Sequence, residues 1–289
     1  MILDGKALAN KICAELKVRV DALVSAGIQP KLTIVTSGDD SASKVYVRNK
    51  LKRAEEIGIE VRAPHYNELK ISDAVLEVTE HTQPIIFQMP TNPNGVIDER
   101  FGSVMNSDED VDGFVSPVNV GLLAMGSEPD NYPCTPKGIM RLLDEYGVQV
   151  NGKFVCIIGR SNIVGRPLAR MMEHRGATVA LCHSKTPSEK LYGIVSSADI
   201  VVSATGVRNI LNLDAKESWL MAPSISSKVF VDVGMNRDEN GKLCGDIDPA
   251  ILERSAAYTP VPGGVGPMTV AMLMENVVEY YERELEAMK

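Results

Sequence analysis

Apolar positions recur at steps of three and four over residues 7–24, so that stretch is expected to form an amphipathic helix, broken by Gly27 and Pro30. The run Lys31 to Thr36 alternates into a buried strand, and Ser37-Gly38-Asp39-Asp40 reads as a turn and helix start. Helical spacing resumes over 41–57 and stops at Gly58. Ile59 to Arg62 begins another strand, and a further helix is expected over 69–81. The short apolar run Pro84-Ile85-Ile86-Phe87-Gln88-Met89 has the character of a central parallel strand. Strand and helix alternate, so the first half is α/β.

Between 106 and 135 the pattern dissolves into Asp, Gly, Pro and Asn. A helix is expected over 137–146, with Thr135 as its N-cap and Pro136 at its first position. A second series follows: a strand Phe154 to Ile158, a helix from 164, strand Thr178 to Cys182, a helix over 188–196, and strands Asp199 to Ala204 and Lys228 to Val233. That cadence predicts a Rossmann-type doubly wound sheet. Pro262-Gly263-Gly264-Val265-Gly266-Pro267 then leads into a closing helix from 269. The fold expected is α/β in two domains, as 289 residues would allow.

Composition narrows the function. Hydrophobic residues make up 44% and charged residues 24%, which suits a globular chain and excludes disordered and fibrous classes. The net charge of −8 argues against nonspecific nucleic-acid binding. No apolar stretch approaches the roughly 18 residues of a membrane span, and Asp4 stands where a signal peptide needs basic residues, so a cytoplasmic protein is expected. The five cysteines are scattered without a C-x-x-C pair, and the four histidines lack ligand spacing, which points to free thiols and no metal site.

Two segments carry candidate chemistry. In Ser43-Lys44-Val45-Tyr46-Val47-Arg48-Asn49-Lys50, a phenol and an amine stand four apart on one helix face. Such a pair also describes an ordinary half-solvated face, but a lysine in an apolar cleft can become a proton-transfer group positioned by the phenol. Gly159-Arg160-Ser161-Asn162-Ile163-Val164-Gly165 follows a strand and opens a helix, the order of a phosphate cradle, although its G-x5-G spacing departs from G-x-G-x-x-G. A turn that binds nothing shares that order. The second strand ends in His183-Ser184-Lys185-Thr186 and not in an acid, so Ser184, Lys185 and Arg160 suit the 2′-phosphate of NADP. Gln88 ends an apolar strand where open sheets present ligand groups, and Asp112 stands beside a glycine turn.

These segments, in this order, resemble the bifunctional methylenetetrahydrofolate dehydrogenase/cyclohydrolase family. The match runs through Leu3-Asp4-Gly5-Lys6, Ser43 to Lys50, Asp110 to Phe114, Pro133 to Gly138, Gly159 to Pro167, Cys182-His183-Ser184, Asp232-Val233-Gly234, Gly245-Asp246-Ile247-Asp248 and Pro262 to Thr269. The resemblance implies a folate-side domain of residues 1–137 with the C-terminal helix 266–289 returning to it, and a Rossmann NADP-binding domain of residues 138–265. It implies oxidation of 5,10-methylenetetrahydrofolate and hydrolysis of the methenyl product to 10-formyltetrahydrofolate. Tyr46, Lys50, Gln88 and Asp112 are then the catalytic and substrate residues, Lys50 handling the proton and Asp112 contacting the pterin. The loop Pro262, Gly263, Gly264 and Val265 positions the substrate, and Gly159, Arg160, Ser161, Ser184 and Met235 contact the cofactor. The resemblance also implies a homodimer joined through the NADP domain.

Two departures lie near the expected folate cleft. Relatives commonly read Gln-Leu-Pro-Leu-Pro where this chain has Gln88-Met89-Pro90-Thr91-Asn92-Pro93, and Glu109 replaces a usual lysine. They bear on affinity and on the balance of the two activities. An enzyme with only one of these activities, another two-domain NADP dehydrogenase of the shikimate-dehydrogenase kind, and a non-enzymatic folate-binding protein are the competing readings.

Overall fold

A computed structural model describes residues 1–39, 41–80, 83–89, 105–212 and 223–289. The chain divides into two compact units. The first comprises Ala9–Cys134 with Val270–Lys289, and the second Met1–Leu8 with Thr135–Thr269.

The first unit is built from most of α1 (Gly5–Ser25), β1 (Lys31–Ser37), α2 (Ser41–Ile57), β2 (Glu60–Arg62), β3 (His65–Tyr66), α3 (Ile71–Glu80), β4 (Ile85–Phe87) and α4 (Pro117–Met125). All three short strands pair in parallel with β1: β2 at its start, β3 at its end, and β4 alongside. The apolar runs of β1 and β4 are buried throughout their centres, because helices cover both faces of a parallel sheet. Val35, Ile85 and Phe87 pack with Ala74, Val78, Met105 and Val115. Each such large apolar side chain contributes about 1.5–3 kcal/mol by leaving water.

Helix α4 stands where a loop is expected. Pro117 occupies its first turn, and Gly126, at φ 84°, ends it by donating its N–H to the Leu122 and Leu123 carbonyls. Only Asn119 and Leu123 of this helix are buried, so its sequence carries almost no periodic signal.

The second unit holds α5 (Cys134–Glu145), β5 (Phe154–Ile158), α6 (Gly165–His174), β6 (Thr178–Cys182), α7 (Ser188–Ser197), β7 (Ile200–Ser203), β8 (Val229–Asp232), the hairpin β9 (Asn236–Arg237) and β10 (Leu243–Cys244), α8 (Pro249–Leu252) and β11 (Ala257–Tyr258). Five parallel strands lie in the order β11-β8-β7-β5-β6. Their core gathers Cys156, Ile158, Val201, Phe230, Leu211 and Ile251. The closing helix α9 (Val265–Ala287) supplies its first turn to this unit and the rest to the first unit.

Three expectations change. Helix α5 starts at Cys134, and the Thr135 hydroxyl pairs with that of Thr269 at 2.9 Å, so Thr135 is no N-cap. Helix α9 starts at Val265, because Pro267 sits within the first turn, where the ring costs no hydrogen bond. Residues 1–8 belong with the second unit, although they were expected in the first. Tyr258 donates its N–H to the Met1 carbonyl, and Leu3 donates to Tyr258, so the N-terminus extends the edge of the five-stranded sheet. No helix among the described residues is long and apolar enough to cross a membrane.

Candidate active site

In the first unit, Lys50 lies in the third turn of α2 and is only 6% exposed. Its Nζ donates to Gln88 Oε1 at 2.9 Å, while Gln88 Nε2 donates to the Met89 carbonyl at 3.0 Å. Tyr46, one turn before Lys50 on α2, is half-buried, and loss of water pushes its phenol up. Ser43 Oγ donates to the Met89 carbonyl at 3.0 Å, so the start of α2 and the segment leaving β4 are tied at two points. The backbone of Gln88 is fixed too, donating to the Val35 carbonyl at 2.8 Å. Held from both sides, this amide orients the ammonium.

Asp112 leaves the sheet at the same end. Ile85 of β4 bridges Asp110 in parallel, so Gln88 and Asp112 both follow the carboxyl ends of neighbouring extended segments. Asp110 is fully buried and turned inward. Its carboxylate accepts N–H groups from Gly113 at 3.0 Å, Val115 at 2.9 Å and Ser116 at 2.7 Å, which fixes the turn carrying Asp112. Asp112 is 8% exposed. A carboxylate that still reaches water at this end of the sheet can exchange that water for a ligand's donor. Asn276, from α9, donates to the carbonyls of Val111 at 2.9 Å and Tyr132 at 3.2 Å, bracing the same turn. The departure at Pro90 to Pro93 lies outside the described residues. Glu109 accepts the Asn106 N–H at 3.1 Å and is buried, so it serves the turn preceding Asp110.

In the second unit, the order of strands reverses between β5 and β7, and Gly159 follows β5 at that switch point. Its φ is +116°, and a Cβ there would stand 2.3 Å from the Ala204 carbonyl oxygen. A Cβ on Gly165 would stand 2.0 Å from the Gly159 oxygen, so the second glycine lets the first turn of α6 close on the first. This accounts for the G-x5-G spacing. Ser161 Oγ accepts the Val164 and Gly165 N–H groups at 3.1 and 3.4 Å and so closes the turn that leads into α6. Arg160 is exposed, and its carbonyl accepts Arg166 Nε at 3.2 Å. A tight turn of 183–186 follows β6, closed by Thr186 N–H to the His183 carbonyl at 2.8 Å, and leaves Ser184 and Lys185 exposed. Met235, 45% exposed, follows β8. The residues present fit a dinucleotide: a glycine turn without room for Cβ, a helix N-terminus, and cations and hydroxyls at the carboxyl edge of one sheet.

The loop of Pro262 to Val265 belongs to this second unit. Lys6 N–H donates to the Gly263 carbonyl at 2.8 Å, and a Cβ on Gly5 would stand 1.9 Å from the Gly264 oxygen. The opening Asp4-Gly5-Lys6 is therefore the seat of that loop. Sequence patterns single out Tyr46, Lys50, Gln88 and Asp112, which the first unit gathers at one end of its sheet. They miss Asp110 and Asn276, whose work is done through backbone groups far away in sequence.

A family model described as the tetrahydrofolate dehydrogenase/cyclohydrolase catalytic domain matches residues 3–112, and one described as the NAD(P)-binding domain of the same enzymes matches residues 133–285. The chain belongs to the tetrahydrofolate dehydrogenase/cyclohydrolase family. A relative from Campylobacter jejuni (strain RM1221), named bifunctional protein FolD, is 41% identical over 291 residues, covering 98% of this chain and 99% of the relative. A relative of the same name from Paraburkholderia xenovorans is also 41% identical, over 99% of this chain and 98% of its own. Among solved structures, the bifunctional FolD enzyme of C. jejuni superposes with a TM-score of 0.88 at 39% identity, over 98% of this chain and 99% of that one. The Trypanosoma brucei FolD enzyme, solved with NADP and an inhibitor, gives 0.86 at 32% identity, over 99% and 98%.

Proposed function

We propose that this chain oxidises 5,10-methylenetetrahydrofolate with NADP and hydrolyses the resulting 5,10-methenyl cation to 10-formyltetrahydrofolate. The observation that carries this reading is the buried Lys50 Nζ held at 2.9 Å on Gln88 Oε1, in the unit that also holds Asp112. When bound, NADP accepts the hydride leaving the one-carbon bridge. The chain's own task in that step is positioning, for Tyr46, Gln88 and the Pro262 to Val265 loop.

In the second step water adds to the bridging carbon, the bond from that carbon to N5 breaks, and N5 gains a proton while one proton is released. Lys50 moves this proton, and Gln88 sets the direction of its Nζ. Asp112 accepts from the pterin amino group, which favours folates over analogues lacking that donor. Gly159, Arg160, Ser161 and Ser184 hold the cofactor phosphates, with Met235 beside the nicotinamide end. The first unit is then the folate side and the second the NADP side. The chain works as a cytoplasmic homodimer joined through the NADP domain, where the half-exposed strand β6 ends the sheet and offers an edge for pairing.

The purified protein should reduce NADP in the presence of 5,10-methylenetetrahydrofolate, with little methenyl product accumulating. Separate assays of the two steps decide between this reading and an enzyme with one activity. Lys50→Ala should lower hydrolysis of added methenyltetrahydrofolate about a hundredfold or more with an unchanged circular dichroism spectrum. Wild-type hydrolysis in that variant would remove Lys50 from the mechanism.

Arg160→Ala tests the cofactor. Loss of a charge-assisted bond to a 2′-phosphate should weaken NADP about tenfold or more while NAD is little affected. Equal losses for both would place Arg160 on phosphates the two cofactors share.

A further inference from the structure

Asp246 has no role in the account above, yet it is completely buried. Its Oδ2 accepts four hydrogen bonds, from Ser203 Oγ at 2.9 Å, Thr205 N–H at 2.7 Å, Thr205 Oγ1 at 2.8 Å and Gly206 N–H at 3.3 Å. Its Oδ1 accepts Asn236 Nδ2 at 2.8 Å, and the same amide donates to the Gly245 carbonyl at 3.0 Å. The Asp246 N–H donates to Asp232 Oδ1 at 2.9 Å, and Asp232 also accepts from Gly234 N–H at 2.9 Å and Ile247 N–H at 3.0 Å. A Cβ on Gly234 would stand 2.1 Å from Asp246 Oδ1, so the glycine there is what allows the carboxylate in.

The partners of Asp246 share a location. Ser203 to Gly206 leave β7 and Asp232 to Asn236 leave β8, both at the carboxyl edge of the parallel sheet, where such folds bind their ligands. The first loop touches the cradle directly, since the Ala204 carbonyl is the group that excludes a Cβ from Gly159. The second loop carries Met235. One carboxylate therefore sets two loops that flank the glycine turn, and it does so from a position no ligand can reach.

We propose that Asp246 is a positioning residue for the dinucleotide, fixing the loops after β7 and β8 in the arrangement that NADP requires. The inference rests on the NADP reading given above. The negative charge matters as well as the shape. In Asp246→Asn, an amide oxygen turned to the Thr205 and Gly206 donors leaves its NH2 facing the Asn236 NH2, and the opposite rotamer turns NH2 onto four donors. One loop loses its acceptor either way.

The test is titration of NADP into each purified variant, beside methenyltetrahydrofolate hydrolysis measured without cofactor and a melting curve. Asp246→Asn should raise the NADP dissociation constant about tenfold or more while hydrolysis is unchanged. Ser203→Ala removes one donor from a side chain that is itself fully buried, so its effect must travel through Asp246, and it should raise the constant about threefold. Unchanged NADP affinity in both variants would overturn the proposal. So would parallel falls in melting temperature, hydrolysis and binding in Asp246→Asn combined with wild-type affinity in Ser203→Ala, which is the pattern of a purely structural role. If Asp246→Asn does not fold, Ser203→Ala alone decides. Failure of the wild-type protein to bind NADP would instead remove the functional reading on which the inference rests.

Discussion

Asp110 and Asp112 are two residues apart and have opposite tasks. Asp110 points into the protein and holds a turn, while Asp112 keeps a small part of its surface open to solvent. Burial pushes the Asp110 carboxyl up to about 6, against the downward pull of the Ser116, Gly113 and Val115 N–H groups. Its ordinary value is 3.8, so between these limits the native state binds the proton more tightly than the unfolded chain. The stability this group contributes is full below about pH 4 and is lost as pH rises through about 6. Melting curves of wild type and Asp110→Asn should therefore show the wild-type advantage shrinking over that window. A difference that stays flat, or grows with pH, would reject the assignment. From sequence, Asp112 was read as an acid beside a glycine turn and Asp110 carried no separate reading, because the distinction depends on which way each side chain faces.

At the scale of elements, strong patterns translated directly and weak ones did not. Helix α2 and strands β1, β5 and β6 are regular stretches with buried faces, and their bounds follow the spacing of apolar residues. Helix α4, the two-residue strands β3 and β11 and the β9–β10 hairpin were not legible, since so few of their residues are buried or periodic. The site divides likewise. Tyr46 and Lys50 are readable as a helical pair, whereas Asn276 acts from α9 on carbonyls more than 140 positions away. Asn276→Leu keeps the volume but takes the amide from both carbonyls, leaving Val111 only the Cys134 thiol at 3.2 Å, a loss of about 1–3 kcal/mol. The expected result is weaker folate binding and a lower melting temperature, with the NADP dissociation constant unchanged. Normal folate affinity would show that the brace has no bearing on the Asp112 turn.

Considered whole, the molecule uses its chain ends twice over. Residues 1–8 complete the sheet edge and seat the Pro262 to Val265 loop, and residues 270–289 complete the other unit. The α/β class and the two-body organisation were visible in the alternation of strands and helices. The exchange of termini was not, because a short segment such as Ile2-Leu3 gives no hint of which strand it will join. This arrangement has a consequence for how the protein is made. While the ribosome is still adding residues, the segment 1–8 has no Tyr258 to pair with, and the first unit lacks its last helix until residues 270–289 have been made. Neither half can finish early, so the order of synthesis imposes long-range closure on both. A chain released shortly before residue 270 would carry the whole dinucleotide-binding sheet and still leave the apolar face meant for the closing helix open to solvent, where cellular proteases could recognise it as unfinished.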